Sequence, residues 1–511
     1  MAFSDYVQDA AHRAGFFNSR TWKFGVRSAA QRFALQERDE LTLNDFTKKC
    51  SEYWKQTLSE EQFVSDYIAP NMMWMQAYDD MKKTGKLVGD QASKDLVNNI
   101  QRRLEYEIFL EYGLGSRIGR TLEKSGSTVM SFHYDEAIAN IMNHVQNDIG
   151  SLRGADEEIF RKMIFGFVYQ MKINGAINHL IYGPFIEQGG NQYMVAVGSL
   201  KRYWLPGVRA GRNVPKFITI NNSGKKKHGF VEINDKSWYV KWINKYLPVE
   251  ERKYANEAED IVRVIIDELT KQEILLKLVG PKDMEVWGLN PDKLTISKSV
   301  KQMVCDKCGS TISVSEENEV ACENICCMRM NCNGHYHVKA DETLDYYGKL
   351  YASGDMDRVI AQEHTGLLER DSREALERAF KSKKGDRRPW DPNLLSCTPT
   401  LEMGIDIGDL STVVLCSIPP AQAQFAQRAG RGGRKDGNSL TVAVANARPH
   451  DLYFYADPKE MISGDIEPPK IFLKAISVLQ RQFVAYCMDC WVKSGIPVTA
   501  IPPNVGACLT K

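Results

Sequence analysis

The apolar residues from position 1 to about 130 recur at intervals of three and four. Stretches such as DLVNNIQRRLEYEIFLEYGL keep this spacing, which predicts amphipathic helices around a shared core. A glycine-rich break follows, and then the basic segment SRIGRTLEKSG. Its cations Arg117, Arg120 and Lys124 could meet phosphates. Alternatively, they could pair with Glu111 and Glu123 at a solvated helix end.

Between residues 131 and 300 the pattern predicts helices followed by short strands. Two helical stretches, DEAIANIMNHVQNDI and EEIFRKMIFGFVYQMKINGAI, precede two apolar runs around the turn signal EQGGNQ. The order repeats in NEAEDIVRVIIDELTKQEILLKLV, which leads into MEVWGL and KLTIS. Two helices and a hairpin outline a winged helix, a fold of DNA-binding domains and also of purely structural modules.

A basic segment lies between these two cycles, at residues 201–217. Its sequence, KRYWLPGVRAGRNVPKF, interleaves basic with aromatic residues. Such a composition suits single-stranded nucleic acid, because rings stack on bases while charges meet phosphates. A solvated loop is the equally good alternative.

From about residue 339 onward, strands alternate with helices, which predicts a parallel α/β sheet. The predicted strands are RVIAQEH, LLSCTPT, STVVLCS and LTVAVANA, and the helices are DSREALERAFKSK and AQAQFAQRA. This is the layout of a RecA-like lobe, the fold of P-loop NTPases. The predicted domains are a helical region at 1–130, a winged-helix-like α+β region at 131–300, a zinc ribbon at 301–338, the RecA-like lobe at 339–457 and a helical extension at 458–511.

Composition narrows the possible functions only a little. The chain has 511 residues, of which 43% are apolar and 26% charged, as in ordinary globular proteins. Its net charge is +1, so any contact with nucleic acid must be local. No apolar run approaches the roughly 20 residues of a membrane helix, and the N-terminus lacks a secretory layout. We therefore expect a cytoplasmic protein.

The cysteines are concentrated in one segment. Six of the twelve lie between Cys305 and Cys332, which favours metal binding over disulfides in a large chain. Cys305 and Cys308 form a CxxC knuckle, and a tetrahedral zinc site needs a second pair. The first choice for that pair is Cys327 with Cys332, the alternative is Cys322 with Cys326, and His335 and His337 are outsiders. Four protein ligands leave no open position, so the zinc would be structural.

The segment QAQFAQRAGRGGR holds a dense array of arginine and glycine. The helix presents Gln427 and Arg428, and the loop after Gly430 carries Arg431 and Arg434. Arginines at this spacing can reach the phosphates of a nucleotide and neutralise the charge that develops on a transferred phosphoryl group. We assign a catalytic role to these four side chains, Arg431 and Arg434 above all, and a nucleotide-binding role to Gly430. A solvated basic loop is the alternative.

The loop after LLSC is a candidate for phosphate binding and coupling. Thr398 and Thr400 offer hydroxyls there, beside backbone N–H groups that could face a phosphate. Gly404 permits close approach, and Asp406 can hold the loop or contact an arginine.

A second candidate loop follows the strand RVIAQEH. His364, Thr365 and Gly366 occupy the loop before the next helix, which is a candidate for contact with a nucleic-acid backbone. A role for His364 as a catalytic base is disfavoured, because no nucleophile or acid partners it in the sequence.

Two elements of a complete ATPase are missing from the pattern. A phosphate loop needs Gly-Lys followed by Ser or Thr, and the pairs at residues 85, 224 and 348 all fail this test. The segment RVIIDELT imitates a magnesium-binding strand with Asp267 and Glu268, but its apolar spacing predicts a helix. The chain therefore lacks a first motor lobe, and we expect no ATP hydrolysis by the chain alone.

The motifs CTPTLEMGIDIGDLS, SIPPAQAQFAQRAGRGGR, ARPHDLYFYADPKEMISGDIEPP and EHTGLLERDSREALERAF resemble one family. These are the bacterial superfamily 2 DEAD/DEAH-type helicases related to YprA and MrfA, including the phage-defence helicases DrmA of DISARM and DruE of Druantia. The resemblance extends to SRIGRTLEKSG and AGFFNSRTWKFGVRSA. It implies ATP-driven translocation on DNA, with motif V at Thr398, Gly404 and Asp406, and motif VI at Gln427, Arg428, Arg431 and Arg434.

The leading hypothesis is therefore the C-terminal half of an ATP-dependent DNA helicase or translocase, acting in phage defence or DNA repair. It would share ATP and Mg²⁺ with a first lobe on a separate chain or segment, carry a structural zinc ion and bind DNA. The alternative is a non-catalytic nucleic-acid-binding module derived from such a helicase.

Overall fold

A computed structural model describes residues 1–4, 7–116, 119–149, 152–190, 204–205, 214–220, 229–247, 255–339, 344–354, 358–382, 386–398, 408, 410–434, 437–464, 466 and 475–495. The chain divides into two compact units, Met1–Leu410 and Ser411–Lys511. Among the described residues, no helix combines the length and the apolar composition needed to cross a membrane.

The first part of the chain is helical, as its periodicity predicts. The strand β1 (Ala2–Phe3) precedes α1 (Val7–Gln36), and β2 (Leu41–Thr42) precedes α2 (Leu43–Thr57), α3 (Glu60–Tyr67), α4 (Gln76–Thr84) and α5 (Gln91–Tyr112). Side-chain caps fix where these helices begin: Thr42 accepts from Asp45 N at 3.2 Å, and Asp90 accepts from Ser93 N at 2.8 Å. Trp22 and Phe46 lie among the buried residues that hold these helices together.

The middle of the chain mixes helices with short strands. Its helices are α6 (Asp135–His144), α7 (Glu157–Ile173), α8 (Gly183–Glu187), α9 (Trp238–Asn244) and α10 (Ala255–Lys271), with a π-helix at Val145–Ile149. Its strands are β3 (Val129–Phe132), β4 (Phe217–Thr219), β5 (Phe230–Glu232), β6 (Leu275–Val279), β7 (Glu285–Leu289) and β8 (Leu294–Ser297). Asp267 and Glu268 lie in α10, so the prediction of a helix there is confirmed.

The hairpins predicted for this region need two corrections. The hairpin after α10 pairs β6 with β7, whereas β8, the KLTIS segment, pairs with β2 and β3 in a different sheet. The run before EQGGNQ is helical, in a 3₁₀ turn at Leu180–Tyr182 and in α8, because proline at the start of α8 suits a first helical turn. The second arm, from residue 191, lies outside the described residues.

The cysteine-rich segment forms a four-stranded antiparallel sheet of order β10-β9-β12-β11. Its strands are β9 (Val300–Cys305), β10 (Thr311–Ser315), β11 (Ile325–Cys326) and β12 (His335–Val338), and α11 (Glu316–Cys322) lies between the hairpins. Ser131 of β3 and Ser315 of β10 share a hydrogen bond at 2.8 Å, which ties this sheet to the middle region.

The first unit also contains a parallel sheet, in which strands from the beginning and the end of the unit's sequence pair with one another. After α12 (Tyr346–Ser353) come β13 (Ala361–His364), α13 (Arg370–Phe380) and β14 (Leu394–Cys397). β14 pairs in parallel with β13 on one side and with β1 on the other. The sheet of the predicted lobe thus includes Ala2 and Phe3, which the sequence pattern had placed in the helical region at 1–130.

The second unit contains the remaining α/β elements. These are β15 (Thr412–Leu415), α14 (Gln422–Ala429), β16 (Leu440–Ala443), α15 (Pro449–Ala456), α16 (Pro458–Ser463) and α17 (Ile476–Lys493). β15 and β16 pair in parallel, so α14 is the crossover between them. The strands and helices predicted from 339 onward are confirmed.

Candidate functional site

Three parallel strands of the first unit end at one edge of their sheet. Cys397 of β14 is level with Phe3 of β1 and with His364 of β13. The residues that follow these strands, Ser4, Thr365 and Thr398, therefore lie at the carboxyl edge, where ligands of open α/β sheets bind. The structure brings Thr365 and Thr398 together at this edge, as their positions after predicted strands imply.

His364 is held by a partner that the sequence pattern did not reveal. Its Nε2 and Oε1 of Glu377 in α13 are 2.8 Å apart, and the imidazole is buried. Its Nδ1 has no hydrogen-bond partner among the described residues. The pair fixes the ring beside Thr365, which is buried, whereas Gly366 is exposed. His364 therefore shapes the loop, while Gly366 is the accessible part of it.

Ser4 is a further residue at this edge, and the pattern of the sequence does not point to it. Its backbone N–H donates to the carbonyl of Cys397 at 2.8 Å, which extends the β1–β14 ladder by one residue. Its hydroxyl is buried and has no hydrogen-bond partner among the described residues. A serine directly after a short strand, in AFSD, was the available signal. Without knowledge that β1 joins the sheet, nothing linked it to Thr398.

Three other candidates cannot be located. Thr400, Gly404 and Asp406 lie outside the described residues, so their roles stay predictions. Thr398 is described and buried, and it has interaction partners of its own. It is the anchored start of the candidate coupling loop.

The arginine array lies in the second unit, at the end of α14 and in the following loop. Arg428 is 1% exposed and Arg431 is 8% exposed, and both have interaction partners. Gln427, Gly430 and Arg434 are exposed. A buried guanidinium costs free energy unless it is paired, so this part of the array is not a solvated loop.

Backbone geometry shapes the arginine loop. Nε of Arg434 donates to the carbonyl of Gly430 at 3.4 Å, which folds the loop back on the helix end. Gly433 has a φ of +67°, and a Cβ there would lie 3.0 Å from the backbone of Gly437. Only glycine fits this close approach. The loop conformation that presents Arg434 therefore depends on Gly433.

A buried carboxylate joins the strand ends of the second unit. Asp451 in α15 accepts from Asn446 N at 2.8 Å and from Ile418 N at 3.5 Å. Asn446 Nδ2 in turn donates to the carbonyl of Cys416 at 3.1 Å. These bonds connect the loops after β15 and β16. Asp451 therefore helps to fix the position of the loop that leads into α14.

The cysteine cluster has the geometry of a tetrahedral thiolate site. The Sγ atoms of Cys305, Cys308, Cys327 and Cys332 all lie within 4.8 Å of one another. Those of Cys305 and Cys332 are 3.8 Å apart, and those of Cys308 and Cys327 are 3.6 Å apart. A zinc ion with Zn–S bonds of about 2.3 Å requires Sγ separations of about 3.8 Å. These are the first-choice ligands, and Cys322 is not among them.

The backbone around the cluster also suits a metal. Arg329 N donates to Cys327 Sγ at 3.5 Å, and Gly334 N donates to Cys332 Sγ at 3.4 Å. A Cβ on Gly334 would lie 2.6 Å from Cys305 Sγ, so no other residue fits there. A hydrogen bond with Ser310 lowers the pKa of Cys308 to about 6, toward the thiolate that binds metal.

A lysine from outside the cysteine-rich segment contacts the second knuckle of the cluster, the turn from Cys327 to Cys332. Nζ of Lys245, just after α9, donates to the carbonyls of Cys327 at 2.7 Å, Arg329 at 3.0 Å and Cys332 at 3.1 Å. Its positive charge thus lies beside a cluster that would carry two negative charges with zinc bound. The cysteine spacing alone gave no signal for Lys245.

The two acids considered as partners of the basic segment after α5 form ion pairs with cations of other helices. Glu111 pairs with Arg27 of α1, with Nε and Oε1 2.8 Å apart, and Glu123 pairs with Lys172 of α7. Arg120 instead lies over the ring of Tyr347. Arg117 and most of residues 201–217 lie outside the described residues.

Comparison with known proteins agrees with the α/β part of this architecture. Residues 333–436 match the family of helicase conserved C-terminal domains. The Druantia protein DruE of Escherichia coli is 31% identical over 203 residues, 37% of this chain and 10% of that protein. The ATP-dependent helicase YprA of Bacillus subtilis is 39% identical over 74 residues, 14% of this chain and 10% of that protein.

Among solved structures, the helicase MrfA bound to DNA and AMPPNP matches 26% of this chain and 18% of that chain, at 26% identity and a TM-score of 0.22. The matched segments thus span about a tenth of the length of the two curated relatives. From its helicase C-terminal domain and these sequence matches, we conclude that the chain is related to the bacterial superfamily 2 helicases that include YprA, MrfA and DruE.

Proposed function

We propose that this chain supplies the second half of the ATP site in a DNA helicase or translocase. The helicase C-terminal domain at 333–436 ends on the arginine array, and Arg428 and Arg431 of that array are buried and partnered. This burial carries the proposal, because a scaffold has no need to bury cations at the end of a crossover helix. The first lobe would come from a separate chain or segment.

Each part of the array would have its own task. Bound ATP with Mg²⁺ supplies the phosphoanhydride that is hydrolysed. Arg431 and Arg434 would neutralise the charge that develops on the transferred phosphoryl group, and such arginines contribute roughly 10³ to 10⁵ in rate. Gln427 and Arg428 would orient the loop, and Gly430 would let it approach the phosphates. The buried state of Arg431 means that little side-chain freedom is lost when it acts.

The nucleic acid would bind at the carboxyl edge of the first unit's sheet. Gly366 offers an exposed backbone there. It suits a sugar-phosphate backbone, which is bound by hydroxyl and N–H donors without reading sequence. The cysteine cluster would hold a structural zinc ion. The setting of this activity would be phage defence or DNA repair, in the cytoplasm.

The test is ATP hydrolysis and DNA binding by the purified chain, alone and with a polypeptide that carries a first lobe. We expect binding to single-stranded DNA that weakens steeply between about 50 and 200 mM salt. Hydrolysis should require the second polypeptide. Binding without hydrolysis even in the pair would favour the non-catalytic module, and hydrolysis by the chain alone would refute the composite site.

The arginine assignment has its own variant. In the two-lobe enzyme, Arg431→Ala should lower turnover by roughly 10³ or more and leave DNA binding intact. Arg448→Ala is the matched control, since Arg448 is an exposed arginine of the same unit outside the array. Equal turnover of the two variants would refute the role of Arg431.

A further inference from the structure

A cavity of about 310 Å³ lies between α1 and the turn that follows α5. This volume is at the lower end of the range for small-ligand sites. Four of the side chains that line it are cations, namely Arg20, Lys23, Arg27 and Arg120, and one is an acid, Glu111. The two basic segments that form it are more than 80 residues apart in sequence, and only the fold brings them together.

The deeper cations neutralise the acids of this region completely. Arg27 pairs with Glu111, while Lys23 and Arg103 both pair with Glu107. Burial opposes ionisation of Glu107, yet these two cations hold its pKa below its usual range. Burial raises the pKa of Glu111 in spite of Arg27. Lys23, Arg27 and Arg103 thus carry three positive charges against the two negative charges of Glu107 and Glu111. Arg20 and Arg120 add two further positive charges to this region.

The two arginines at the mouth have no carboxylate partner among the described residues. Cζ of Arg20 lies 5.2 Å from the ring centre of Phe16, and Cζ of Arg120 lies 5.2 Å from that of Tyr347. Both residues are exposed. The acids nearest to Arg120 in sequence, Glu111 and Glu123, are paired elsewhere. Stacking on a ring orients a guanidinium and leaves its N–H donors available for an anion.

The remaining wall of the cavity is apolar. Phe24, Leu110 and Leu114 provide it, and Gly115 and Gly119 also line the cavity. Gly119 has a φ of +80°, and the nearest atom to a Cβ there is in Arg27, 4.0 Å away. An apolar wall with a ring beside two unpaired guanidiniums can receive a flat heterocycle and a phosphate at once.

We infer that this cavity binds one nucleotide, with its phosphate on Arg20 and Arg120 and its base against Phe24, Leu110 and Leu114. The nucleotide has two possible sources, a single strand of nucleic acid or a free mononucleotide. Binding of a strand rests on the proposed function, whereas binding of a free mononucleotide does not depend on it. All of its residues lie in the first unit, whereas the residues of the arginine array belong to the second unit.

The first experiment measures fluorescence anisotropy of a labelled dT20 strand with the full chain. The variant Arg20→Ala/Arg120→Ala should bind at least ~10-fold more weakly, and the slope of log K against log salt should fall by about 1.4, for two phosphates on a single strand. Lys48→Ala/Lys49→Ala is the matched control, because it removes two exposed cations of α2. Equal losses in both double variants would overturn the site while leaving DNA binding established.

The second experiment tests the cavity without changing charge. Leu110→Trp should fill the cavity and weaken dT20 binding to a similar extent, with an unchanged melting temperature as the check on folding. Full binding by a folded Leu110→Trp chain would overturn the entry of a base.

Calorimetry with thymidine monophosphate distinguishes the two sources of the nucleotide. Loss of mononucleotide binding in both variants, without strand binding by the parent chain, would support a free nucleotide and refute the proposed DNA binding. Loss of strand binding alone would support the strand. A parent chain that binds neither probe would overturn both proposals.

Discussion

The two units differ in where they place their large apolar side chains. In the first unit, Phe165, Trp242 and Tyr112 are fully buried, and one continuous core runs from α1 to the ribbon. In the second unit, Val442 of β16 is 40% exposed and Phe483 of α17 is 67% exposed. No residue of α17 is buried. One unit thus carries its own core, and the other presents apolar surface.

This difference indicates what each unit needs. A pair of strands is at best marginally stable without further packing, and exposed apolar surface marks contact sites. The first unit can hold its sites rigid with its own residues, as Glu377 does for His364. The second unit carries the arginine array on a scaffold with apolar area still to cover. A motor that is complete only with a second polypeptide would provide such a cover.

Removal of zinc should have the largest effect, confined to the first unit. Structural zinc contributes on the order of 10 kcal/mol of folding free energy in small domains. We expect one zinc ion per chain by metal analysis, and loss of hydrogen-exchange protection in β9 to β12 after chelation. Protection of α14 should not change. Unaltered protection of the ribbon in chain shown to be zinc-free would refute a structural role.

The second-largest effect should be a difference between the two units in the rate of amide hydrogen exchange. Amides of α7, which buries 11 of its 17 residues, should exchange only on cooperative unfolding, at a cost of about 5 kcal/mol or more. Amides of α17 should exchange on the order of 10³ times faster, because an isolated helix is marginal in water. Equal protection in the two helices would mean that α17 is already covered. Added first-lobe polypeptide should slow exchange in the second unit if it provides the cover.

Replacement of Lys245 should weaken zinc binding without removing a ligand. Lys245→Met keeps the aliphatic stem but loses three hydrogen bonds to the carbonyls of the second knuckle. Outer-sphere contacts of this kind change metal affinity by about 10- to 100-fold. Competition with a chelator of known affinity measures this, and Lys241→Met, on the exposed face of α9, is the control. Identical affinities of both variants would exclude a role for Lys245 in metal retention.

The smallest effect should be a dependence of first-unit stability on pH. Burial among Tyr106, Phe109 and Tyr182 lowers the pKa of His179 to about 4. The unfolded chain, with an ordinary histidine pKa of about 6.5, binds a proton more readily. The contribution of the neutral His179 ring to the free energy of unfolding is thus fully present above pH 6.5. It is lost as the pH falls toward 4.

His179→Asn retains an acceptor for Ile181 N and does not titrate. The melting temperature of the parent chain should fall by on the order of 2 °C more than that of this variant between pH 6.5 and 4.5. Parallel pH profiles would show that His179 is protonated freely in the folded state.

Local patterns in the sequence predicted local structure well. The spacing of Cys305, Cys308, Cys327 and Cys332 led to the cluster that forms, since both knuckles are short turns whose geometry depends on neighbours. Likewise, the apolar period predicted the helix that contains Asp267, against the motif-like appearance of that segment. Periodicity and spacing were sufficient wherever the relevant contacts are close in sequence.

Contacts between distant segments were beyond such patterns. Ser4 became a candidate only through the pairing of β1 with β14, and Lys245 only through its approach to the second knuckle. The partners of Glu111 and Glu123 in the structure, Arg27 and Lys172, come from helices far away in sequence. Register and tertiary ion pairing depend on packing, which a single sequence does not encode locally.

The parallel pairing of β1 with β14 also has a consequence during synthesis. Ala2 and Cys397 are 395 residues apart, so the strand made first waits for its partner while most of the unit is translated. At ordinary elongation rates this wait lasts roughly 20 to 80 s. During it, Phe3, fully buried in the finished sheet, has no place to pack. The nascent chain therefore exposes an unpaired apolar strand that can aggregate. Its yield in cells should depend on chaperones that bind this strand.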